Sequence, residues 1–152
     1  FHALAADERR KLFEPTLWEL SDTVKNDPNH PQVMEQRWFP GVHCNVGGGY
    51  LDHGLSDLTL DWLMTKANDV GLYFDKGSLG MLDHAYLLKV DANGELRNSR
   101  TAMYWFWRPV WRKVKQKKHG NEVIDDSVLT RHKNDPNYFP PNLRDFLKQK
   151  KE

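Results

Sequence analysis

His43 combines a reactive side chain with a position that suits catalysis. It follows the apolar segment Glu35 to Phe39, which is typical of a buried strand and is closed by Pro40-Gly41. Three glycines, Gly47-Gly48-Gly49, come shortly after it. Ligands of open α/β sheets bind beyond the carboxyl ends of the strands, and an imidazole can take up and release protons near neutral pH. This order predicts a general acid–base on an active-site loop, and the alternative is a structural loop histidine.

The sequence offers His43 no obvious nucleophile. No Gly-x-Ser-x-Gly elbow occurs, since Gly77-Ser78-Leu79-Gly80 has the wrong spacing. Cys44 adjoins His43, and adjacent side chains of an extended segment point to opposite sides, so a Cys–His pair is disfavoured. The same adjacency argues against a zinc site built from His43, Cys44, Asp52 and His53. We therefore expect no metal and no cofactor.

Asp7 is the local candidate for a supporting or alternative acid. A carboxylate can set the tautomer and orientation of a catalytic imidazole. However, Asp7-Glu8-Arg9-Arg10 is also typical of an ion-pair network at the end of a helix, and charge runs are usually paired or solvated. We favour the ion-pair interpretation and keep Asp7 as the alternative.

The elements around His43 predict an α/β arrangement. Residues 2–13 have the composition of a helix that ends before Pro15. A second helix begins at Ser56-Asp57, is capped by one of these two residues and closes at Gly71. Its predicted apolar face consists of Leu58, Leu60, Trp62, Leu63, Ala67 and Val70.

Residues 72–152 lack long periodic segments and suggest an irregular, aromatic-rich and basic extension to the motif-bearing part, 1–71. A turn at Asn93-Gly94 favours a short hairpin. Short helices are predicted from Asp125 to Arg131 and from Asn142 to Lys151.

One stretch of this extension, Tyr104 to Lys118, mixes aromatic side chains with positive charge. Trp and Tyr suit the membrane interface, whereas Lys and Arg attract anionic lipid. The alternatives are that the aromatic residues complete the core or stack on nucleic acid, and we do not expect nucleic acid. The candidates for contact with a lipid surface are Trp105, Trp107, Trp111, Arg112 and Lys113.

Composition limits the class of protein. The 152 residues are enough for one core, and a net charge of +1 gives no overall attraction to nucleic acid. No apolar run approaches the roughly 20 residues that a membrane span needs, and the start, Phe1 to Ala6, does not read as a signal peptide. The single cysteine, Cys44, excludes an internal disulfide and is compatible with a reducing compartment.

Several motifs in a fixed order resemble one known family of α/β-hydrolase domains. Its bacterial members include type VI secretion phospholipase effectors (the Tle-like catalytic domain), and it has many fungal members. The matching segments are His2-Ala3-Leu4-Ala5-Ala6-Asp7-Glu8-Arg9-Arg10, Phe13-Glu14-Pro15-Thr16-Leu17-Trp18, Trp38-Phe39-Pro40-Gly41-Val42-His43, Val46-Gly47-Gly48-Gly49-Tyr50 and Leu55-Ser56-Asp57. Asn98-Ser99-Arg100-Thr101 and the segment from Ser127 to Leu143 are similar as well. One departure is Cys44-Asn45, where the family has Ser-Asp.

The resemblance implies a Ser-Asp-His triad whose histidine is His43. It also implies a nucleophile in an upstream Gly-x-Ser-Arg-Gly elbow and an acid in an upstream Asp-Thr-Val segment. Accordingly, residues 1–152 would be the C-terminal portion of an α/β-hydrolase fold, truncated at the N-terminus. We expect the whole protein to be a serine esterase or phospholipase acting on acyl esters, and the fragment alone to be inactive. The rival hypothesis is a non-catalytic pseudo-enzyme or membrane-binding module.

Overall fold

The computed structural model describes residues 1–74, 88–101, 104, 106–113 and 121–149. Within them, a three-stranded parallel sheet is formed by β1 (His2–Ala5), β2 (Gln36–Phe39) and β3 (Glu122–Ile124), in the order β1-β2-β3. The register places Leu4 beside Trp38 and Trp38 beside Ile124. This parallel sheet with helices gives the chain the predicted α/β character. No strand of the described residues pairs with the outer edge of β1.

Five α-helices and one 3-10 turn complete the described structure. The turn is Lys11–Phe13, and the helices are α1 (Asp22–Lys25), α2 (His43–Gly47), α3 (Gly54–Asp69), α4 (Asp126–Asn134) and α5 (Pro141–Gln149). Helix α4 begins where the Asp125 side chain accepts a hydrogen bond from the Ser127 N–H, which satisfies one free donor of the first turn. No described helix has the length and apolarity needed to cross a bilayer.

The core has two parts because neighbouring strand residues point to opposite faces of the sheet. On one face, Phe39 packs with Val46 of α2 and Trp62 of α3. On the other face, the larger cluster contains Leu4, Trp38, Ile124, Val128, Tyr138, Leu143 and Phe146. The sheet is therefore covered by α2 and α3 on one side and by α4 and α5 on the other.

The helix predicted over residues 2–13 is wrong. The segment is instead strand β1, an extended stretch and the 3-10 turn. Backbone hydrogen bonds from His2 N to Glu35 O (2.9 Å) and from Ala6 N to Phe39 O (2.9 Å) hold it against β2. Long-range strand pairing here overrides the helical preference of alanine and leucine. Asp7 consequently lies beyond the end of a strand, and the charge run leads from β1 to the 3-10 turn, whose N-cap residue is Arg10.

The prediction that helix α3 exists is confirmed. The predicted N-terminus and part of the predicted buried face are wrong. It begins at Gly54, two residues before Ser56, with His53 as N-cap residue. Its buried side includes Leu55, Asp57 and Trp62, whereas Leu63 and Val70 are exposed. The face is rotated because Asp57 turns inward to accept hydrogen bonds. Gly71 follows the helix with φ of 91°, which the predicted C-terminal stop requires.

Residues 122–149 are more regular than the predicted irregular extension. The short helices predicted from Asp125 and from Asn142 are confirmed as α4 and α5, whereas strand β3 was not predicted. Strand β3 and helices α4 and α5 supply half of the larger core cluster. A strand of three residues is too short to produce a recognisable alternation. The turn before Gly94 forms, with Gly94 N donating to Asp91 O, but no strands flank it in the described residues. The tetrapeptide Gly77-Ser78-Leu79-Gly80 and Trp105 lie outside the described residues.

Candidate active site at the carboxyl end of the sheet

Two loops meet beyond the carboxyl ends of β1 and β2. Asp7 N donates to Gly41 O (3.0 Å), and Gly41 N donates to the Asp7 carboxylate (2.7 Å). The Asp7 side chain is buried and also accepts a hydrogen bond from the Tyr138 hydroxyl (2.8 Å). Asp7 therefore fixes the Pro40-Gly41-Val42 loop that leads into His43.

Gly41 is required by both conformation and space. Its φ is 117°, and a Cβ there would lie 2.4 Å from the Asn45 Cβ. Asn45 is buried beneath this turn, where its Oδ1 accepts from Val42 N (3.2 Å) and its Nδ2 donates to Glu95 O (3.0 Å). An aspartate, which the family pattern carries here, could not donate to Glu95 O. This departure from the pattern thus has a local structural role.

His43 is the first residue of α2, two residues after this turn, rather than part of an open loop. Its side chain is exposed, and its ring meets the Phe13 ring edge-on with centroids 5.2 Å apart. Among the described residues, no side chain forms a hydrogen bond with the imidazole. The ring is therefore available to an external partner.

Two clefts meet at His43, and Ala3 and Ala5 of β1 also line both. The first, here called the helix cleft, has a volume of about 410 Å³ and is further lined by Val46, Gly47, Gly48, Ser56, Asp57, Thr59, Leu60 and Leu63. The second, here called the arginine cleft, has a volume of about 380 Å³ and is further lined by His2, Leu4, Glu8, Leu12, Phe13, Glu14, Pro15 and Arg112. His43 therefore lies beside the outer edge of β1, which pairs with no strand in the part of the chain that the structure describes.

The predicted glycine loop lies next to His43. Gly47 ends α2, and Gly48 and Gly49 have φ of 87° and 116°, a region that side chains rarely adopt. A Cβ at any of the three would meet nothing within 4 Å. These glycines are therefore needed for backbone conformation at Gly48 and Gly49, and they leave the mouth of the helix cleft open.

The carboxylate that contacts the His43 segment is Glu8, which sequence reasoning did not single out. Its side chain is only 2% exposed and accepts hydrogen bonds from His43 N (3.2 Å), the Ser99 hydroxyl (3.1 Å) and both the backbone and guanidinium of Arg10. These charge-assisted bonds overcome the cost of burial and lower the pKa of Glu8 to about 2. Glu8 thus joins the end of β1 to the start of α2.

Arg10 connects the Glu8 carboxylate to the Phe13 ring, which lies beside His43. Its guanidinium lies 3.6 Å from the centroid of the Phe13 ring, whose edge contacts the His43 ring. The signal in the sequence was the Glu-x-Arg spacing of the charge run, but the run alone does not show which carboxylate turns inward. In the structure both Asp7 and Glu8 are buried, with different partners.

Asp7 forms its hydrogen bonds with Gly41 and Tyr138 rather than with the His43 imidazole. Burial raises the pKa of Asp7, because the hydrogen bonds from Gly41 and Tyr138 and the charges of Arg9 and Arg131 only partly offset the loss of water. The same burial, together with the nearby Asp7 carboxylate, raises the pKa of Tyr138. The geometry gives Asp7 a supporting role in the loop.

A second His–carboxylate pair was also missed. His53 Nδ1 lies 2.6 Å from the buried Asp57 carboxylate, which additionally accepts from Lys89 N (2.7 Å). Asp57 and its neighbour Ser56 line the helix cleft with His43. The Ser56 hydroxyl donates to His53 O (3.1 Å), as a serine in a first helical turn commonly does. The i,i+4 spacing of His53 and Asp57 was visible in the sequence.

The lipid-facing candidates have different surroundings. Trp107 is 53% exposed and Lys113 is exposed, whereas Trp111 is half-buried beneath the Arg9 guanidinium, 4.1 Å from its ring centroid. Arg112 is only 3% exposed, so its assignment to a lipid-facing surface is wrong. Its charge is enclosed because Nη2 donates inward to Arg10 O (2.6 Å).

The described residues contain no group of three or more His, Cys, Asp or Glu side chains that could hold a metal ion. The ionisable side chains that line the two clefts include His43 and the buried carboxylates of Glu8 and Asp57. Their placement at the end of a parallel sheet agrees with the order of motifs in the N-terminal half of the chain. Residues 1–66 match the catalytic domain of the Tle1-like phospholipase effectors of type VI secretion systems.

The matched region contains β1, β2, His43, the glycine loop and most of α3. A curated protein of Saccharomyces cerevisiae, the uncharacterized protein YEL023C, is 35% identical over 71 residues, which cover 43% of this chain and 10% of the yeast protein. The chain thus spans about a tenth of that relative's length. No solved structure matches the 152-residue chain significantly.

Proposed function

We propose that residues 1–152 form the C-terminal part of a serine α/β-hydrolase domain that cleaves acyl esters, with phospholipids as the favoured substrates. His43 takes the proton from a serine supplied by a segment outside this chain and then returns it to the leaving alcohol. The observation that carries this proposal is the exposed His43 imidazole beside the edge of β1 that no strand of the described residues pairs with. An additional strand of the same parallel sheet would bring its own carboxyl end next to His43.

The triad acid, the acyl-chain site and the oxyanion hole are assigned as follows. The triad acid comes from outside the chain, while Asp7 supports the Gly41 turn and Glu8 holds the His43 backbone. The helix cleft, with its apolar wall and open glycine mouth, accommodates the acyl chain. Backbone N–H groups near the external serine would form the oxyanion hole.

A serine-directed fluorophosphonate probe tests whether the nucleophile lies upstream of this chain while the chain supplies His43. We expect the probe to label a protein that contains this chain together with an upstream Gly-x-Ser-x-Gly segment, on the serine of that segment. We expect residues 1–152 alone to remain unlabelled and to hydrolyse no short-chain ester, because His43 lacks its nucleophile. Peptide mapping by mass spectrometry identifies the labelled residue.

Two results would contradict this proposal. The first is an upstream coding sequence without a Gly-x-Ser-x-Gly segment, which would favour the pseudo-enzyme. The second is labelling of the isolated chain at Ser56, which would show that the nucleophile lies in the helix cleft.

Contact with a membrane surface is a second candidate function, favoured by the exposure of Phe106 (88%) and Trp107 (53%) next to the exposed Arg108. We expect the chain to co-sediment with vesicles containing phosphatidylglycerol more strongly than with pure phosphatidylcholine vesicles. The double variant Phe106→Ser/Trp107→Ser should reduce this binding at least about tenfold, since two interfacial aromatic anchors are lost. Leu51→Ser, which removes a side chain that is 99% exposed elsewhere, serves as the control. If both variants sediment equally with anionic vesicles, Phe106 and Trp107 do not form a membrane-contacting surface.

A further inference from the structure

Arg112 is a buried cation whose hydrogen-bonding capacity is largely unused. Its side chain is 3% exposed, and only Nη2 has a partner, the Arg10 carbonyl. Among the described residues, Nε and Nη1 have no hydrogen-bond partner. Buried charges in proteins are normally paired, because an unpaired charge loses its hydration without compensation. The unmet donors therefore suggest a negatively charged ligand.

The carboxylates near Arg112 do not neutralise it directly. Glu8 and Glu14 stabilise its charge from a distance, while burial lowers the pKa of Arg112. Neither carboxylate forms an ion pair with Arg112 among the described residues. The Glu8 carboxylate is occupied by Arg10 at 2.8 Å, and Glu14 is exposed to solvent. The guanidinium thus keeps an unbalanced positive charge.

Arg112 lies in the wall of the arginine cleft, which it shares with His43. The cleft volume of about 380 Å³ exceeds that of a phosphate group. Nε and Nη1 are shielded from solvent in the unliganded chain, so a ligand must displace a side chain of the wall. Leu12 lines the same wall and is 77% exposed, so few contacts hold it in place.

We propose that Arg112 is the anion-binding residue of a phosphate subsite, which holds the phosphodiester of a lipid headgroup while the acyl ester lies at His43. The lipid part of this inference rests on the proposed function, whereas the phosphate subsite does not. Arginine is well suited to the task because its donors form short, charge-assisted hydrogen bonds with phosphate oxygens. For enclosed donors such as Nε and Nη1, these bonds are stronger than at the surface.

Titration of the 152-residue chain with two soluble probes tests the subsite. The probes are inorganic phosphate and sn-glycero-3-phosphocholine, each added at constant ionic strength and followed by NMR. We expect both to shift the Arg112 Nε–H resonance of the wild-type chain. We expect Arg112→Met to weaken the binding of both probes at least about tenfold, while Lys113→Met, which removes an exposed neighbouring charge, changes it less than about twofold.

Thermal unfolding separates a ligand-binding role from a structural one. Methionine has a similar length and removes the unpaired charge, so Arg112→Met is expected to keep or raise the melting temperature without ligand. A structural arginine would give the opposite result, a lower melting temperature with unchanged phosphate binding, and that outcome overturns the proposal. If the variant does not fold, the Nε–H shift in the wild-type chain decides the question.

The two probes also distinguish the source of the phosphate. Binding of inorganic phosphate without binding of the phosphodiester overturns the headgroup assignment, and binding of neither overturns the subsite. These titrations involve no turnover. Ester hydrolysis by a longer protein that binds neither probe would therefore contradict the subsite alone, whereas probe binding with no hydrolysis would contradict the hydrolase proposal alone.

Discussion

Replacing His43 with alanine is expected to lower kcat for ester hydrolysis by about 10⁴- to 10⁶-fold in the protein that contains this chain and its nucleophile. The imidazole is the proposed general base and acid, and the described residues offer no other exposed proton acceptor where the two clefts meet. The KM should change little, because the proposed binding surfaces are the cleft walls. Initial rates with a short-chain acyl ester, measured over a range of substrate concentrations, separate the two constants.

A matched histidine provides the control for this experiment. His30 lies in the polar loop after α1, where its Nδ1 accepts from Gln32 N (3.1 Å), and His30→Ala should retain activity within about twofold. Because the His43 side chain is exposed, His43→Ala should also leave the free energy of unfolding within about 0.5 kcal/mol of wild type. A folded His43→Ala protein with more than about a tenth of wild-type activity would refute the assignment.

Replacing Glu8 with glutamine is expected to lower the free energy of unfolding at pH 7 by about 3 kcal/mol. The carboxylate is 2% exposed and gathers the Arg10 guanidinium, the Ser99 hydroxyl and the His43 N–H. Its neutral replacement leaves the Arg10 charge with weaker partners inside the fold. Urea denaturation followed by tryptophan fluorescence measures the difference between the two proteins.

The pH dependence of this difference has a defined sign. The pKa of Glu8 is lowered from 4.5 to about 2 in the folded chain, so its stabilising effect is complete above about pH 4.5. That effect is lost as the pH falls toward about 2, where the folded state also takes up the proton. The stabilities of wild type and Glu8→Gln should therefore converge at low pH. A difference that stays constant from pH 7 to pH 3 would exclude the ionised carboxylate as its cause.

Asp7→Asn is the matched comparison, because Asp7 is also buried but its pKa is raised. A raised pKa means that ionisation of Asp7 reduces stability as the pH rises above the ordinary value of 3.8. Asparagine keeps an acceptor for Gly41 N and the Tyr138 hydroxyl without the charge. Asp7→Asn should thus gain stability relative to wild type toward neutral pH, the reverse of Glu8→Gln.

Local sequence signals identified the central part of the site. Apolar and aromatic residues before Pro40-Gly41 predicted β2, which begins one residue later than predicted and ends at Phe39 as predicted. Two of the three glycines after His43, Gly48 and Gly49, and the C-terminal stop at Gly71 have the positive φ angles that favour glycine. The ordered motifs also predicted the family to which residues 1–66 are matched. The role of His43 stays a prediction that the experiments above test.

Residues near one another in the sequence were thus sufficient for β2, the glycine conformations and the existence of α3. Only the tertiary structure showed that His2–Ala5 is a strand, that Glu8 contacts the His43 backbone and that Arg112 is buried. The physical reason is the range of the interactions. Periodicity and turn chemistry depend on neighbouring residues, whereas β1 needs β2 some 34 positions away and Arg112 needs the Arg10 carbonyl 102 positions away. The burial of a charge depends on such distant partners.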